Sequence, residues 1–258
     1  MEDRYTVSSI PEPKETRPCE KHGTFEVKYL HIGSNRFWVF PNCTKCVEEE
    51  NAAKKEMDEA KAKELKAKNK KRHYEDVRLG AGISKRNLHK NFDDYICSNE
   101  GQEKAKSDCI RYVNEFPSDK SMIMVGGVGT GKTLLASAMV DALVDKNKCE
   151  IIKVIDVVRE LKASWSKESK ATEEGIIKSF VDLDLLILDE VGSQFGSDTE
   201  KLFIFDIIDG RYQEMKQTVL ISNLDIDGIK GAIGERCVDR LREGGGMMIA
   251  FNWESQRG

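Results

Sequence analysis

Gly126-Gly127-Val128-Gly129-Thr130-Gly131-Lys132-Thr133 has the spacing G-x-x-x-x-G-K-[ST], and its flanks decide the fold. Ahead of it, Ser121-Met122-Ile123-Met124-Val125 is a short apolar run suited to a buried strand. Behind it, Leu134–Val144 carries apolar residues at helical spacing. Strand, glycine loop and helix in that order put the positive end of a helix dipole beneath an anion. The glycines let successive backbone N–H groups converge on phosphate oxygens, which side chains would obstruct. Lys132 can place a charge on the β- and γ-phosphates, and Thr133 offers a hydroxyl ligand to Mg²⁺. Gly126, Gly127, Val128, Gly129, Thr130, Gly131, Lys132, Thr133 and Leu134 are therefore the expected contacts of a nucleoside triphosphate.

Downstream, apolar runs alternate with helical patterns. Strands are expected at Met122–Val125, Glu150–Ile155, Leu183–Leu188, Thr218–Ser222 and Met247–Phe251, and helices at Lys132–Lys146, Asp156–Trp165, Glu173–Val181, Thr199–Met215 and Ile233–Leu241. Nearly all-apolar strands separated by helices imply an α/β fold, a parallel sheet covered on both faces. Ligands of such sheets sit at the carboxyl ends of the strands, where the glycine loop falls.

Leu183-Asp184-Leu185-Leu186-Ile187-Leu188-Asp189-Glu190 is an apolar strand ending in two carboxylates. Asp189 is expected beside Thr133, holding Mg²⁺ through water. Glu190 has the position to orient and polarise an attacking water, which argues for hydrolysis rather than nucleotide storage. Asn223 follows another apolar strand and suits either a turn or a hydrogen bond to the γ-phosphate. Arg236 and Arg240 lie four apart on one helix face. On spacing alone they are a solvated basic face or a pair that stabilises charge on a transferring phosphoryl group.

Toward the N-terminus, Cys19-Glu20-Lys21-His22 and Cys43-Thr44-Lys45-Cys46 form a C-x₂-H…C-x₂-C set with 20 residues between the pairs. A two-residue gap lets both ligands of a pair point inward from one turn, and a tetrahedral Zn²⁺ needs two such turns. Phe25–Tyr29 and Arg36–Phe40 alternate like a hairpin, with Gly33-Ser34-Asn35 for its turn. So small a module buries too little surface to hold itself together without metal. Cys19, His22, Cys43 and Cys46 are the expected zinc ligands, whereas His31, His73 and His89 are isolated. Next comes a stretch without Gly or Pro, rich in Ala, Lys and Glu, with a thin apolar stripe of Val47, Met57 and Leu65. It reads as an exposed helix that bridges domains or docks on a partner. The resulting division is a zinc-ribbon-like module over 1–46, a charged helix over 47–79 and a P-loop nucleoside-triphosphatase domain over 80–258.

Bulk composition limits the functional classes. The 258 residues are 39% hydrophobic and 33% charged, with a net charge of −4. No apolar run approaches the ~20 residues of a membrane span, so no membrane partner is expected. Seven cysteines beside a nucleotide loop favour a reducing compartment, hence the cytoplasm. Residues 51–90 hold 13 Lys/Arg against 6 Asp/Glu, a basic arm on an acidic chain. Trp165-Ser166-Lys167-Glu168-Ser169-Lys170 sets an aromatic beside lysines, as single-strand DNA binders often do, though an ordinary polar loop reads the same way.

Together these segments resemble the DnaC/IstB branch of the AAA+ ATPases, from about Ile83 to Arg257. The carriers are the glycine loop, Leu186-Ile187-Leu188-Asp189-Glu190-Val191-Gly192, Ser222-Asn223-Leu224, Gly234-Glu235-Arg236-Cys237-Val238-Asp239-Arg240-Leu241 and Phe251-Asn252-Trp253-Glu254-Ser255. Gly82–His89 and Asn91-Phe92-Asp93-Asp94-Tyr95 resemble the segment leading into the core of DnaC-type helicase loaders. The resemblance implies that ATP is the nucleotide and that Asn223 is a sensor of it. It implies that Arg236 and Arg240 are a trans-acting arginine finger and a phosphate-sensing arginine, in an order left open. The 17 residues after Leu241 leave no room for a helical lid. The function implied by the resemblance is that of an ATP-dependent loader of a replicative DNA helicase, self-associating on ATP and contacting single-stranded DNA. The alternatives are a transposition helper ATPase and a nucleotide-switched DNA-binding adaptor, against which Glu190 speaks. In place of the usual helical N-terminal domain stand the zinc module and basic helix, a pattern resembling phage- or prophage-encoded versions.

Overall fold

The computed structural model describes residues 15–31, 37–40, 42–192 and 197–256. It divides into two units, Met1–Lys71 and Arg72–Gly258.

In the first unit, β1 (Thr16–Cys19) and β2 (Gly23–Glu26) form an antiparallel hairpin with Cys19 opposite Gly23. β3 (Lys28–His31) pairs antiparallel with β4 (Phe37–Phe40). The single hairpin expected from Phe25–Tyr29 and Arg36–Phe40 is thus divided. The chain changes partner at Val27, which is buried and donates its N–H to the Glu15 carbonyl at 2.8 Å. Phe25 faces Arg17 in β1, whereas Tyr29 faces Val39 in β4. The expected turn at Gly33-Ser34-Asn35 lies outside the described residues. Helix α1 (Thr44–Gly80) begins three residues earlier than the composition suggested, because Val47 N–H already bonds the Cys43 carbonyl. From residue 48 to 73 it is exposed all round, Met57 and Leu65 included.

In the second unit the final turns of α1 pack on the core. Arg78 is buried against Asp141 and Asp145, its Nε 2.5 Å from Asp141 Oδ1, with its guanidinium over the Tyr74 ring. There follow α2 (Glu100–Asn114), β5 (Met122–Gly126), α3 (Lys132–Leu143), β6 (Cys149–Lys153), α4 (Val154–Ala163) and α5 (Glu173–Val181). The chain continues through β7 (Leu185–Val191), α6 (Asp198–Gln213), β8 (Gln217–Ser222), α7 (Ile226–Ile233), α8 (Glu235–Arg242) and β9 (Met247–Phe251). The five strands are all parallel, in the order β6-β7-β8-β5-β9. Side chains alternate between two cores. Met122, Met124, Leu185, Ile187, Val219 and Ile221 join α2 and α3 on one face. Ile123, Leu186, Leu188 and Leu220 join α4 to α8 on the other. The α/β architecture expected from the alternation of elements is therefore the observed one.

Three local departures have physical causes. The strand expected over Glu150–Ile155 stops at Lys153, since Val154, Val157, Val158 and Leu161 share a buried helical face and draw Val154 into α4. The helix expected over Ile233–Leu241 is broken at Gly234, whose φ of 91° no helix accommodates; α7 precedes the break and was not expected. Helix α2 was also missed, because its buried face of Gln102, Ala105, Cys109 and Tyr112 includes polar and small residues. Among the described residues, no helix is long and apolar enough to cross a membrane.

Candidate active site and metal centre

The loop between β5 and α3 reaches its shape through three glycines with positive φ: Gly126 at 142°, Gly129 at 82° and Gly131 at 95°. A Cβ on Gly126 would lie 2.4 Å from the Phe251 carbonyl, and one on Gly131 would lie 2.4 Å from Tyr95 Cε2. These glycines therefore serve close approach as well as backbone freedom. Lys132 is buried at the start of α3, with Nζ 2.6 Å from the Gly126 carbonyl and 2.7 Å from that of Gly127. The lysine thus rests on its own loop. Burial pulls its pKa below the ordinary value, although Asp189 acts in the other direction.

Strand β7 brings the acids alongside. Asp189 Oδ2 accepts the Thr133 hydroxyl at 3.0 Å, and Oδ1 accepts Glu190 N–H at 2.7 Å. Burial raises the Asp189 pKa, against those two hydrogen bonds. Glu190 has φ of 57°, unusual for a residue with a side chain, at the point where the β7–β8 register shifts between Leu188 and Val191. The irregularity turns its carboxylate outward to Lys153 Nζ, 2.9 Å away. Lys153 ends β6 opposite Asp189, and no sequence signal marks it. Its pKa is raised by the hydrogen bond to Glu190.

Asn223 is exposed just past Ser222, which pairs with Val125, so it lies on the same edge of the sheet as the loop. Arg236 is exposed on α8 and forms no hydrogen bond or ion pair among the described residues. Arg240 is held elsewhere. Its Nε is 3.1 Å from Asp209 Oδ1, and its guanidinium lies 4.3 Å from the centre of the Tyr212 ring. With Asp119, Ser121 and Lys216 it lines a groove of about 410 Å³. That groove adjoins the amino ends of β5 and β8, opposite the glycine loop. Arg240 is therefore not gathered with Lys132 and Asp189 of its own chain. Trp165 gives its indole N–H to Glu173 at 2.8 Å and packs against Phe203.

In the first unit, Cys19, His22, Cys43 and Cys46 place their ligand atoms within 4.8 Å of one another. The hairpin turn supplies Cys19 and His22, while Cys43 and Cys46 straddle the start of α1. His22 Nδ1 lies 3.3 Å from Cys46 Sγ and 3.7 Å from Cys43 Sγ; its Nε2 lies 2.9 Å from Glu49 Oε1. Nε2–H donates to the carboxylate, which keeps the proton on Nε2 and leaves Nδ1 as the lone-pair donor facing the thiols. The Cys19 thiol is drawn down to about 6 by the backbone N–H groups of His22 and Lys21. Its neighbour Cys46 is pushed up to about 11, chiefly because its S–H donates to the Cys19 thiolate, a proton that a cation bound by both sulfurs would displace. Three sulfurs and one imidazole nitrogen, gathered and mostly shielded, fit a closed tetrahedral Zn²⁺ site. Glu49 is absent from any ligand motif; only its place one turn after Cys46 hints at it.

The family model described as IstB-like ATP binding protein matches residues 39–239. The replicative helicase loader DnaC of Buchnera aphidicola subsp. Acyrthosiphon pisum (strain APS) is 36% identical over 179 residues, 69% of this chain and 73% of that protein. The replicative helicase loader DnaC of Escherichia coli (strain K12) is 36% identical over 176 residues, 67% of this chain and 71% of that protein. The crystal structure of the DnaC helicase loader superposes with a TM-score of 0.57 at 25% identity, over 65% of this chain and 99% of that one.

Proposed function

The chain belongs to the family of IstB-like ATP-binding proteins, and on that premise we propose that it is an ATP-dependent loader of a replicative DNA helicase. The observation that carries the ATPase chemistry is the meeting of Lys132, Thr133 and Asp189 at one end of a parallel sheet, with Thr133 and Asp189 3.0 Å apart. Lys132 leaves the loop carbonyls to pair with the β- and γ-phosphates. Thr133 and Asp189 would hold Mg²⁺, which when bound supplies neutralising charge between the phosphates. Glu190, released from Lys153, orients the attacking water and takes its proton. Asn223 stands where it can sense the γ-phosphate.

Arg236 is the trans-acting finger in this reading, because it is exposed and uncommitted where Arg240 is held by Asp209. ATP then promotes self-association, and hydrolysis releases it. The Zn²⁺ held by Cys19, His22, Cys43 and Cys46 supplies folding stability to its module. That module and α1 contact the helicase or single-stranded DNA, in the cytoplasm. The relatives favour loading over transposition, since those compared are named helicase loaders.

The test is co-purification with the host replicative helicase at micromolar concentration, with and without ATP. An ATP-dependent complex is expected. Its absence, with a complex to a transposase instead, overturns the loader reading.

A further inference from the structure

After β9 the chain runs back over the phosphate loop. Trp253 donates its indole N–H to the Thr130 carbonyl at 3.0 Å, and Tyr95 donates its hydroxyl to the same oxygen at 3.2 Å. One residue earlier in the loop, the Gly129 carbonyl accepts Gln256 N–H at 2.9 Å. Gln256 Nε2 in turn donates to the Ile96 carbonyl at 3.1 Å. The indole is fixed by the Phe251 ring, 4.9 Å between centres, and by Gly101, where a Cβ would lie 3.3 Å from the indole.

We propose that Phe251–Gln256 is a strap that sets the phosphate loop for nucleotide, with Trp253 and Tyr95 as positioning residues. The inference rests on the nucleotide reading of the loop. Its physical basis is the planar trans peptide, in which C=O and N–H point to opposite sides. Among the described residues the only cis bond is Phe116–Pro117. Holding the Thr130 carbonyl toward the strap therefore aims Gly131 N–H away from it. Holding the Gly129 carbonyl does the same for Thr130 N–H. These are donors in the loop's anion cradle. Two donors on one carbonyl oxygen occupy both lone pairs, so the peptide plane is fixed in two directions rather than one.

The experiment measures binding of a fluorescent ATP analogue to the full chain, together with steady-state hydrolysis. Trp253→Phe keeps an aromatic ring and deletes the N–H; Tyr95→Phe deletes the hydroxyl. Each is expected to weaken nucleotide binding about fivefold and the pair more than tenfold. Turnover at saturating ATP stays within twofold, because Asp189 and Glu190 are untouched. Gln256→Pro, at an exposed residue outside the core, removes the N–H bonded to Gly129 and the side-chain amide bonded to Ile96, and is expected to weaken binding by a similar factor. Unchanged affinity in the folded variants overturns the strap. If the aromatic variants do not fold, Gln256→Pro alone decides in the same way. Failure of the unaltered chain to bind the analogue overturns the nucleotide reading instead.

Discussion

Arg211 has no exposed surface, and its guanidinium ends α5 from a distance. Nη1 donates to the carbonyls of Phe180 at 2.7 Å, Val181 at 3.2 Å and Leu183 at 2.8 Å. Nη2 donates to the Gln217 carbonyl, and Nε donates to Thr218 Oγ1 at 2.9 Å. Helix α5 stops at Val181, so the Phe180 and Val181 carbonyls have no partner within the helix. Burial lowers the Arg211 pKa to about 10, still far above neutrality, so the side chain stays charged. Arg211→Met keeps length and removes every donor, leaving three or four buried carbonyls unpaired. At ~1–1.5 kcal/mol each, less the relief of no longer burying a charge, the loss is ~4 kcal/mol. That is a large part of the ~5–15 kcal/mol that holds a typical domain. Arg211→Lys, with three donors on a point charge, recovers about half. The assay is urea unfolding of the full chain in a Trp38→Phe background, where Trp165 and Trp253 both report on the second unit. A loss below ~1 kcal/mol for Arg211→Met, with unchanged denaturant dependence, refutes the reasoning.

The metal centre, the acids and the finger give further tests. Glu49→Gln weakens zinc binding by ~10–100-fold in a chelator competition, by loosening the His22 ring; an unchanged constant removes Glu49 from the site. The raised Asp189 pKa means that the fold favours the protonated acid. The stability this group contributes is complete below the ordinary carboxylate range and lost as pH rises through the raised value. Asp189→Asn, which imitates the protonated form, therefore raises Tm by ~2–4 °C at neutral pH while Mg²⁺-dependent turnover falls at least ~100-fold. A lower Tm in calorimetry contradicts the sign. Arg236→Ala leaves ATP binding by dilute protein intact and removes assembly-stimulated turnover by at least ~100-fold; turnover unaffected at every concentration assigns the finger elsewhere.

Much of the site is legible in the sequence because its parts are local. Lys132 and Thr133 sit in one loop with the glycines, and Cys43 and Cys46 span one helix start. Asp189 and Glu190 end a run whose apolar character marks it as a buried strand. The residues that support them were not legible. Lys153 meets Glu190 only because β6 lies beside β7, and Tyr95 and Trp253 meet at Thr130 from opposite ends of the domain. Arg211 looks like one more charged residue on a helix until α5 ends against it. Gly234 shows the limit of periodicity, since one positive φ makes two helices where the apolar spacing runs on.

By itself, then, the sequence determined that this chain builds a parallel α/β core around a nucleotide loop, and that a Cys/His cluster precedes it in the chain. Those features come from periodicity, glycine placement and ligand spacing, which act over a few residues and survive in any context. Tertiary structure alone decided which groups complete them: the outward turn of Glu190 to Lys153, the carboxylate behind His22, and the separation of Arg240 from its own loop. Each depends on strand order or on the docking of distant segments. Those are properties of the packed whole that no local spacing encodes.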